Sequence, residues 1–227
     1  MLVAHRNGMA VWTNPYVTDG LVAMWDGEWN TGGGVHDATL QDEWTDIVGG
    51  MKFSSAVGSC SFSQNRAVLS ACVLKGINGN LASVFSSGCF SIQYIIPVCT
   101  DQRGYVLWRY PPYTNPMVEI QRNGPYFGFC DKGQGFSGMN NLQLQTLTVD
   151  GSDWTVITDT QRAPRTVNYT QQTFTSSAGL ALLGSQQGAA TYFFTGEVCA
   201  LRFYDRILTD SEISASYAID RARFNLT

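Results

Sequence analysis

The chain has 227 residues, 44% of them hydrophobic, 12% aromatic and only 14% charged; a disordered chain would carry more charge and fewer aromatics. Its net charge of −4 and pI near 5.0 exclude the basic face that nucleic-acid binding requires. The lysines are Lys52, Lys75 and Lys132, the arginines are scattered, and no apolar run approaches the ~20 residues that span a bilayer.

Residues 1–18 read as a polar N-terminal arm ending in Asn14-Pro15-Tyr16-Val17-Thr18. The run Met1–Trp12 contains no apolar h-region of about 7–15 residues, so it does not read as a secretory signal. A terminal segment orders only when something ties it down. Trp12 and Tyr16 are the candidates for that role, on this domain or on a partner. Residues 19–227 then form one domain, since β-sandwiches commonly reach this length as a single unit.

Regular structure is expected from Leu21-Val22-Ala23-Met24-Trp25-Asp26, followed by a glycine-rich loop at Thr31-Gly32-Gly33-Gly34. Period-2 alternation then predicts strands over 51–56, 67–74, 89–98, 105–110, 117–122, 126–130, 143–149, 154–158, 180–183 and 192–204. Turn signals separate them, among them Asn78-Gly79-Asn80, Ser87-Gly88, Asn123-Gly124-Pro125 and Asp150-Gly151. Many short strands with this punctuation predict a sandwich or barrel. Phe90, Ile92, Tyr94 and Ile96 share one strand face while Ser91 and Gln93 share the other, which predicts one buried and one wetter face. At the end, Thr209-Asp210-Ser211-Glu212 is a capping-box pattern. Ile213 and Tyr217 make a short apolar stripe on the helix it opens, which should run to about Ala222.

Six cysteines, Cys60, Cys72, Cys89, Cys99, Cys130 and Cys199, match no CxxC metal spacing. A core of this size needs no staples, so most are expected to be free thiols, with disulfides the alternative in an extracellular protein. Cys199 is expected on the core face shared by Leu201 and Phe203.

Two segments resemble the concanavalin A-like lectin/glucanase superfamily in its laminin G-like branch. The first runs from Asp19-Gly20-Leu21-Val22-Ala23-Met24-Trp25-Asp26-Gly27 through His36-Asp37 to Trp44-Thr45-Asp46-Ile47-Val48-Gly49-Gly50. It is similar to that branch's opening strand, variable loop and W-x-D-L-x-G turn. The second runs from Phe194-Thr195-Gly196-Glu197 through Leu201-Arg202-Phe203-Tyr204-Asp205-Arg206 to Asp220-Arg221-Ala222-Arg223-Phe224, and resembles the closing strand and terminal helix. The resemblance implies an all-β concanavalin A-like jelly-roll sandwich with a short C-terminal helix. It leaves function open, because the fold hosts lectins, enzymes, adhesion modules and virion proteins. Domains with this opening are frequent in bacteriophage and gut-bacterial proteins.

Retaining glycosidases need two carboxylates ~5–5.5 Å apart. In the glucanase relatives an E-x-D-x-x-E strand supplies them. Here Glu197 is followed by Cys199 and Leu201, and Glu119 by Gln121 and Asn123, so no such triplet forms. With only His5 and His36 present and no G-x-S-x-G elbow, a hydrolase triad has few ways to assemble, and a non-catalytic domain is expected. From Asn7 to Met51 there is no Lys or Arg, while Asp19, Asp26, Glu28, Asp37, Asp42, Glu43 and Asp46 fall in the same stretch. Calcium takes six to eight oxygens, which makes Asp26, Glu28, Asp37, Asp42 and Asp46 candidate calcium ligands. The alternative is that Asp26 and Asp46 bond backbone amides in turns. No other cofactor is implied.

Sugar binding uses aromatic faces with a few fixed polar groups. Trp108, Arg109 and Tyr110, with Tyr113 and Asn115 in the following turn, form the best such cluster. Tyr126, Trp154 and Trp29 are lesser candidates; the alternative for Trp108 and Tyr110 is that they fill the core, and Trp25 and Trp44 read as structural. Three functions follow. One is a non-catalytic glycan-binding module, recognising cell-surface polysaccharide from a phage virion or a bacterial surface. Another is a structural virion decoration or fibre protein, docked on other virion proteins through residues 1–18. The last is a glycoside hydrolase. Homo-oligomers are compatible with the first two.

Overall fold

A computed structural model describes residues 4–6, 9–11, 14–32, 36–77, 79–100, 103–109, 117–121, 124–129, 132–136, 143–158, 160–170, 174, 179–187 and 190–226. In chain order the elements are β1 (Ala4–Arg6), β2 (Met9–Val11), β3 (Leu21–Asp26), β4 (Glu43–Thr45), β5 (Lys52–Ser63), β6 (Arg66–Ile77) and α1 (Leu81–Ser87). They continue with β7 (Cys89–Ile95), β8 (Val98–Cys99), β9 (Arg103–Arg109), β10 (Met117–Gln121), β11 (Gly124–Phe129), β12 (Lys132–Gly135), β13 (Leu144–Asp150) and β14 (Asp153–Ile157). The last are β15 (Arg162–Thr166), β16 (Gly179–Leu182), β17 (Gly184–Gln187), β18 (Ala190–Val198), β19 (Ala200–Tyr204) and α2 (Asp210–Phe224).

These form an all-β sandwich with a C-terminal helix. Among the described residues the smaller sheet has six strands in the order β15-β14-β13-β7-β19-β3, and the larger has eleven, with β12-β11-β10-β9-β16-β6-β18-β17 as its main path. Among the described residues the hairpin β1–β2 pairs with neither sheet. The core between the sheets takes Phe90, Ile92, Tyr94 and Ile96, as their alternation predicts. Trp25 meets Phe53 and Phe203 edge-on, with ring centroids 5.2 and 5.8 Å away. A second aromatic group gathers Phe90, Phe127, Phe129 and Trp154. The two structural tryptophans satisfy each other's surroundings. Trp25 Nε1 donates to Trp44 O at 3.3 Å and Trp44 Nε1 donates to Asp26 O at 3.2 Å, so neither buried indole N–H is orphaned.

Four sequence expectations need correction. The run 192–204 is two strands: β18 pairs with β6 in the larger sheet, and β19 pairs with β3 and β7 in the smaller. The chain changes sheets at Cys199, whose N–H goes to Ile95 O and whose carbonyl accepts from Gly27 N. Cys199 therefore packs beneath α2, away from the Leu201 and Phe203 face. Two helices occur among the described residues, because α1 buries Leu81, Val84 and Phe85 between the two glycine turns. Finally, the face carrying Ser91 and Gln93 is dry, with both residues at 0% exposure.

The cover is α2. Thr209 caps it with both halves of the capping box in place, an arrangement that satisfies two otherwise orphaned N–H groups. Ile213, Tyr217 and Phe224 pack on Ile95, Leu144, Ile157 and Tyr204. Several polar groups trapped beneath are bonded in series, while Arg202 Nε, Tyr204 Oη and Ser216 Oγ are buried without a partner among the described residues. Gln93 Nε2 donates to Thr146 Oγ1 at 3.1 Å, Thr146 and the Tyr217 hydroxyl lie 2.9 Å apart, and that hydroxyl donates to Ile157 O at 2.9 Å. At the other end of α2, Asn65 Nδ2 and Arg66 Nη2 donate to the Arg223 and Phe224 carbonyls at 2.6 and 2.8 Å. The β5–β6 turn thus caps the helix C-terminus.

Candidate functional site

The acidic side chains described in the N-terminal third are engaged in contacts within the chain. Among the described residues no group of three or more His, Cys, Asp or Glu side chains is placed to hold a metal. Asp26 and Glu28 face a cation of the chain's own instead. Arg223 donates to both Asp26 oxygens at 2.9 and 3.0 Å and to Glu28 Oε2 at 2.6 Å. Asp46 accepts from the amides of Met24, Val48 and Gly49 at 2.6, 3.0 and 2.6 Å. With Ile47 N bonded to Met24 O at 2.8 Å, it closes the free edge of β3, which borders the smaller sheet. Asp42 accepts from Cys60 N at 3.0 Å. Asp37 accepts from the N–H and hydroxyl of Thr39 at 2.8 and 2.6 Å, and these bonds lower its pKa. Each candidate calcium ligand is therefore committed to a turn, a strand edge or an ion pair.

Tyr16 is also committed within the domain. Its side chain is 5% exposed, it donates to Asp220 Oδ1 at 2.6 Å, and it accepts from Arg223 Nη1 at 2.7 Å. The Arg202 guanidinium lies 3.5 Å from its ring centroid, close enough for a desolvated cation–π contact. Arg202 and Asp220 form a bidentate pair, both fully buried. Burial disfavours the Arg202 cation, but Asp220, Tyr16 and Tyr204 together outweigh it and the net shift is upward. Burial likewise raises the Tyr16 pKa, so the hydroxyl stays protonated. Docking of Tyr16 on a partner is thereby corrected: it latches the segment before β3 onto α2. Trp12 lies outside the described residues.

Of the predicted glycan-binding residues, Tyr110, Tyr113 and Asn115 lie outside the described residues. Trp108 and Arg109 end β9. Trp108 is in register with Met117 of β10 and Ala181 of β16, and Arg109 with Leu180. Tyr126 is the member whose side chain the structure describes. Phe127 and Phe129 on β11 enter the core, so alternation turns Tyr126 to the outer face of the larger sheet, where it is half-buried. It pairs with Glu119 on one side and Gly135 on the other. Its ring runs along β12, an edge strand, and glycine makes the berth. A Cβ on Gly133 would lie 1.7 Å from the Tyr126 hydroxyl, and one on Gly135 would lie 3.9 Å from its Cδ2. The result is an outward aromatic lying against a glycine-flattened edge. Two lesser candidates are excluded by position: Trp154 is core at 0% exposure, and Trp29, 4% exposed, stacks on Arg223 at 3.8 Å.

Cys60, Cys72, Cys89 and Cys199 are free thiols, and Cys130 lies outside the described residues. Burial lifts the thiol pKa of Cys72 to about 11 and that of Cys199 to about 12, and raises that of Cys60 as well. Such thiols are poor nucleophiles. No helix among the described residues is long and apolar enough to cross a membrane.

No family model and no curated protein matches the chain. Solved structures do. A Trypanosoma rangeli sialidase in complex with sialic acid is similar with a TM-score of 0.64 at 15% identity, over 95% of this chain and 35% of that one. The binding domain of botulinum neurotoxin DC in complex with rat synaptotagmin II is similar with a TM-score of 0.63 at 9% identity, over 88% of this chain and 51% of that one. The same toxin domain in complex with SialylT gives 0.56 at 9% identity. The chain thus spans about a third of the sialidase and half of the toxin domain. At these identities the likeness is one of fold, a β-sandwich.

Proposed function

We propose that this domain is a non-catalytic glycan-binding module of the concanavalin A-like, laminin G-like type, displayed on a phage virion or a bacterial surface. The observation that carries the proposal is Tyr126, half-exposed on the outer face of the larger sheet against the glycine-rich edge strand β12 and in register with Glu119 of β10. An aromatic ring with a nearby polar group is what recognition of a pyranose requires, since sugar C–H faces are apolar and their hydroxyls are not. The β9 residues Trp108 and Arg109 extend the same sheet two strands away, and Tyr110, Tyr113 and Asn115 follow in sequence before β10. The fold shared with a sialidase solved with sialic acid and a toxin binding domain solved with SialylT supports the choice of a glycan as ligand. The absent carboxylate triplet supports recognition without hydrolysis.

A glycan array with the full chain tests this reading. Saturable binding to a defined glycan is expected, lost in Tyr126→Ala and Tyr113→Ala while the melting temperature holds. Binding that both variants retain would move the site elsewhere, and release of reducing sugar from the bound glycan would make the domain an enzyme.

One observation favours a structural virion role as a second reading. The hairpin β1–β2 pairs only with itself among the described strands, and two-stranded hairpins are marginal alone in water. Deleting residues 1–13 leaves Tyr16 in place. Loss of particle incorporation by that variant, with array binding unchanged, would support it.

A further inference from the structure

Two ion pairs fasten α2 to the chain beneath it, and they run in antiparallel order. Arg206, just past β19, donates to both Glu212 oxygens at 3.0 and 2.6 Å. Arg202, within β19, donates to both Asp220 oxygens, one of them at 3.0 Å. Tyr204 lies midway in sequence between the two arginines, and Ser216 midway between the two acids. Two residues of extended chain advance about 6.6 Å and four residues of helix advance about 6 Å, so the two spacings match. Tyr204 and Ser216 therefore make a middle rung between two charged ones. Burial pushes the Tyr204 hydroxyl pKa up to about 12, and the charges that also act on it are those of Arg202, Asp220, Arg206 and Glu212, as a place between the two pairs requires.

The middle rung is polar, buried and unpaired. Arg202 and Tyr204 are 0% exposed and Ser216 is 1% exposed. Leu201 and Phe203 enter the core between the sheets, so alternation turns Arg202 and Tyr204 together toward α2. Ser216 and Asp220 share the buried side of that helix. The Tyr204 hydroxyl, Ser216 Oγ and Arg202 Nε have no hydrogen-bond partner among the described residues. An orphaned buried polar atom is costly, and three in one interface call for a shared partner.

We infer that Tyr204, Ser216 and Arg202 hold one buried water molecule between β19 and α2. The partner has to accept from Arg202 Nε, which only donates, and it can donate to or accept from either hydroxyl. A cation is opposed by the Arg202 guanidinium. An anion is opposed by the Asp220 and Glu212 carboxylates on either side. That leaves a small neutral molecule with both donors and acceptors. Buried waters make about three hydrogen bonds, and three groups are on offer. The bridge completes the ladder that registers α2 on the smaller sheet, and it stands apart from the Tyr126 reading.

The test joins a crystal structure of the natural chain to a count of long-lived waters in solution by ¹⁷O relaxation dispersion. An ordered water is expected about 2.7–3.0 Å from both the Tyr204 hydroxyl and Ser216 Oγ. The double variant Tyr204→Phe/Ser216→Ala leaves Arg202 Nε as a lone partner, fewer than a buried water needs, so it should lose one long-lived water. Each single variant should lower the melting temperature, because each takes a partner from the bridge. Truly orphaned hydroxyls would give the opposite sign, since their removal relieves a buried unpaired group. The crystal arm depends on no variant folding. A direct Tyr204–Ser216 hydrogen bond with no water, an unchanged water count in the double variant, or a raised melting temperature in both single variants would each overturn the inference.

Discussion

Removing the Asp220 carboxylate tests whether the latch between α2 and the smaller sheet depends on a buried ion pair. In Asp220→Ala the Arg202 guanidinium stays at 0% exposure and keeps only Gln93 Oε1 at 3.3 Å and the Tyr16 ring. Its Nε already lacks a hydrogen-bond partner in the structure. Tyr16 loses its acceptor at the same time. An uncompensated buried charge of this kind costs about 3–5 kcal/mol, a large share of the 5–15 kcal/mol typical of a whole domain. Tyr16→Phe removes only the hydroxyl and should cost about 1.5–3 kcal/mol, the range for a hydrogen bond to a charged group. The double variant Arg202→Met/Asp220→Leu removes both charges and should recover most of the Asp220→Ala loss, because apolar replacements of buried pairs are often neutral. Urea unfolding at constant m-value reads all three. A loss below about 1 kcal/mol in Asp220→Ala would place the pair among solvent-screened surface bridges and refute the reasoning. A double variant no better than Asp220→Ala would do the same.

The capping box makes stability depend on pH. Bonds from Arg206 and from the Thr209 amide hold the Glu212 pKa down at about 2 against an ordinary 4.5. A lowered folded pKa gives stability that is full above pH 4.5 and fades as pH falls toward 2. Discounted for solvent screening, about 1–2 kcal/mol should be lost across that window in the natural chain and not in Glu212→Gln, as paired urea melts would show. At the candidate glycan face, Gly133→Ala should displace the Tyr126 ring, whose hydroxyl, Cζ and Cε1 would lie 1.7, 2.4 and 3.0 Å from the new Cβ. It should lower glycan affinity about tenfold with stability changed by less than about 1 kcal/mol, and unchanged array binding would count against Tyr126 as the platform. Among the described cysteines, mass mapping after brief iodoacetamide treatment of the folded chain should label Cys89, which is exposed, well before Cys60, Cys72 and Cys199, which are buried. Early labelling of Cys199 would contradict its packing beneath α2.

Local signals carried most of the fold, and long-range electrostatics carried what they missed. The Phe90, Ile92, Tyr94 and Ile96 stripe and the Thr209 capping box are patterns within a few residues of each other, and both stand in the structure. Helix α1 had a readable signature, apolar Leu81, Val84 and Phe85 at helical spacing, but it is a single short segment between two turn signals that also suit a loop. Tyr126 was legible by alternation, since Phe127 and Phe129 beside it had to face inward. The acidic run misled because its cation comes from the far end of the chain: Arg223 reaches Asp26 across 197 positions, and no local spacing encodes that. The same holds for the face taken as wet. Ser91 and Gln93 look like solvent-facing residues until α2 lies over them, yet the helix carries a clue. Asp220 sits three residues beyond Tyr217, on the side that α2 buries. An acid on the apolar stripe of a capped helix demands a basic partner on the surface it covers, and the nearest strand residue able to supply one is Arg202, flanked by Leu201 and Phe203, which point into the core. Read together, the two oddities, a charged helix stripe and a strand arginine between core residues, would have paired across the layer and shown that the second face of the sheet is dry.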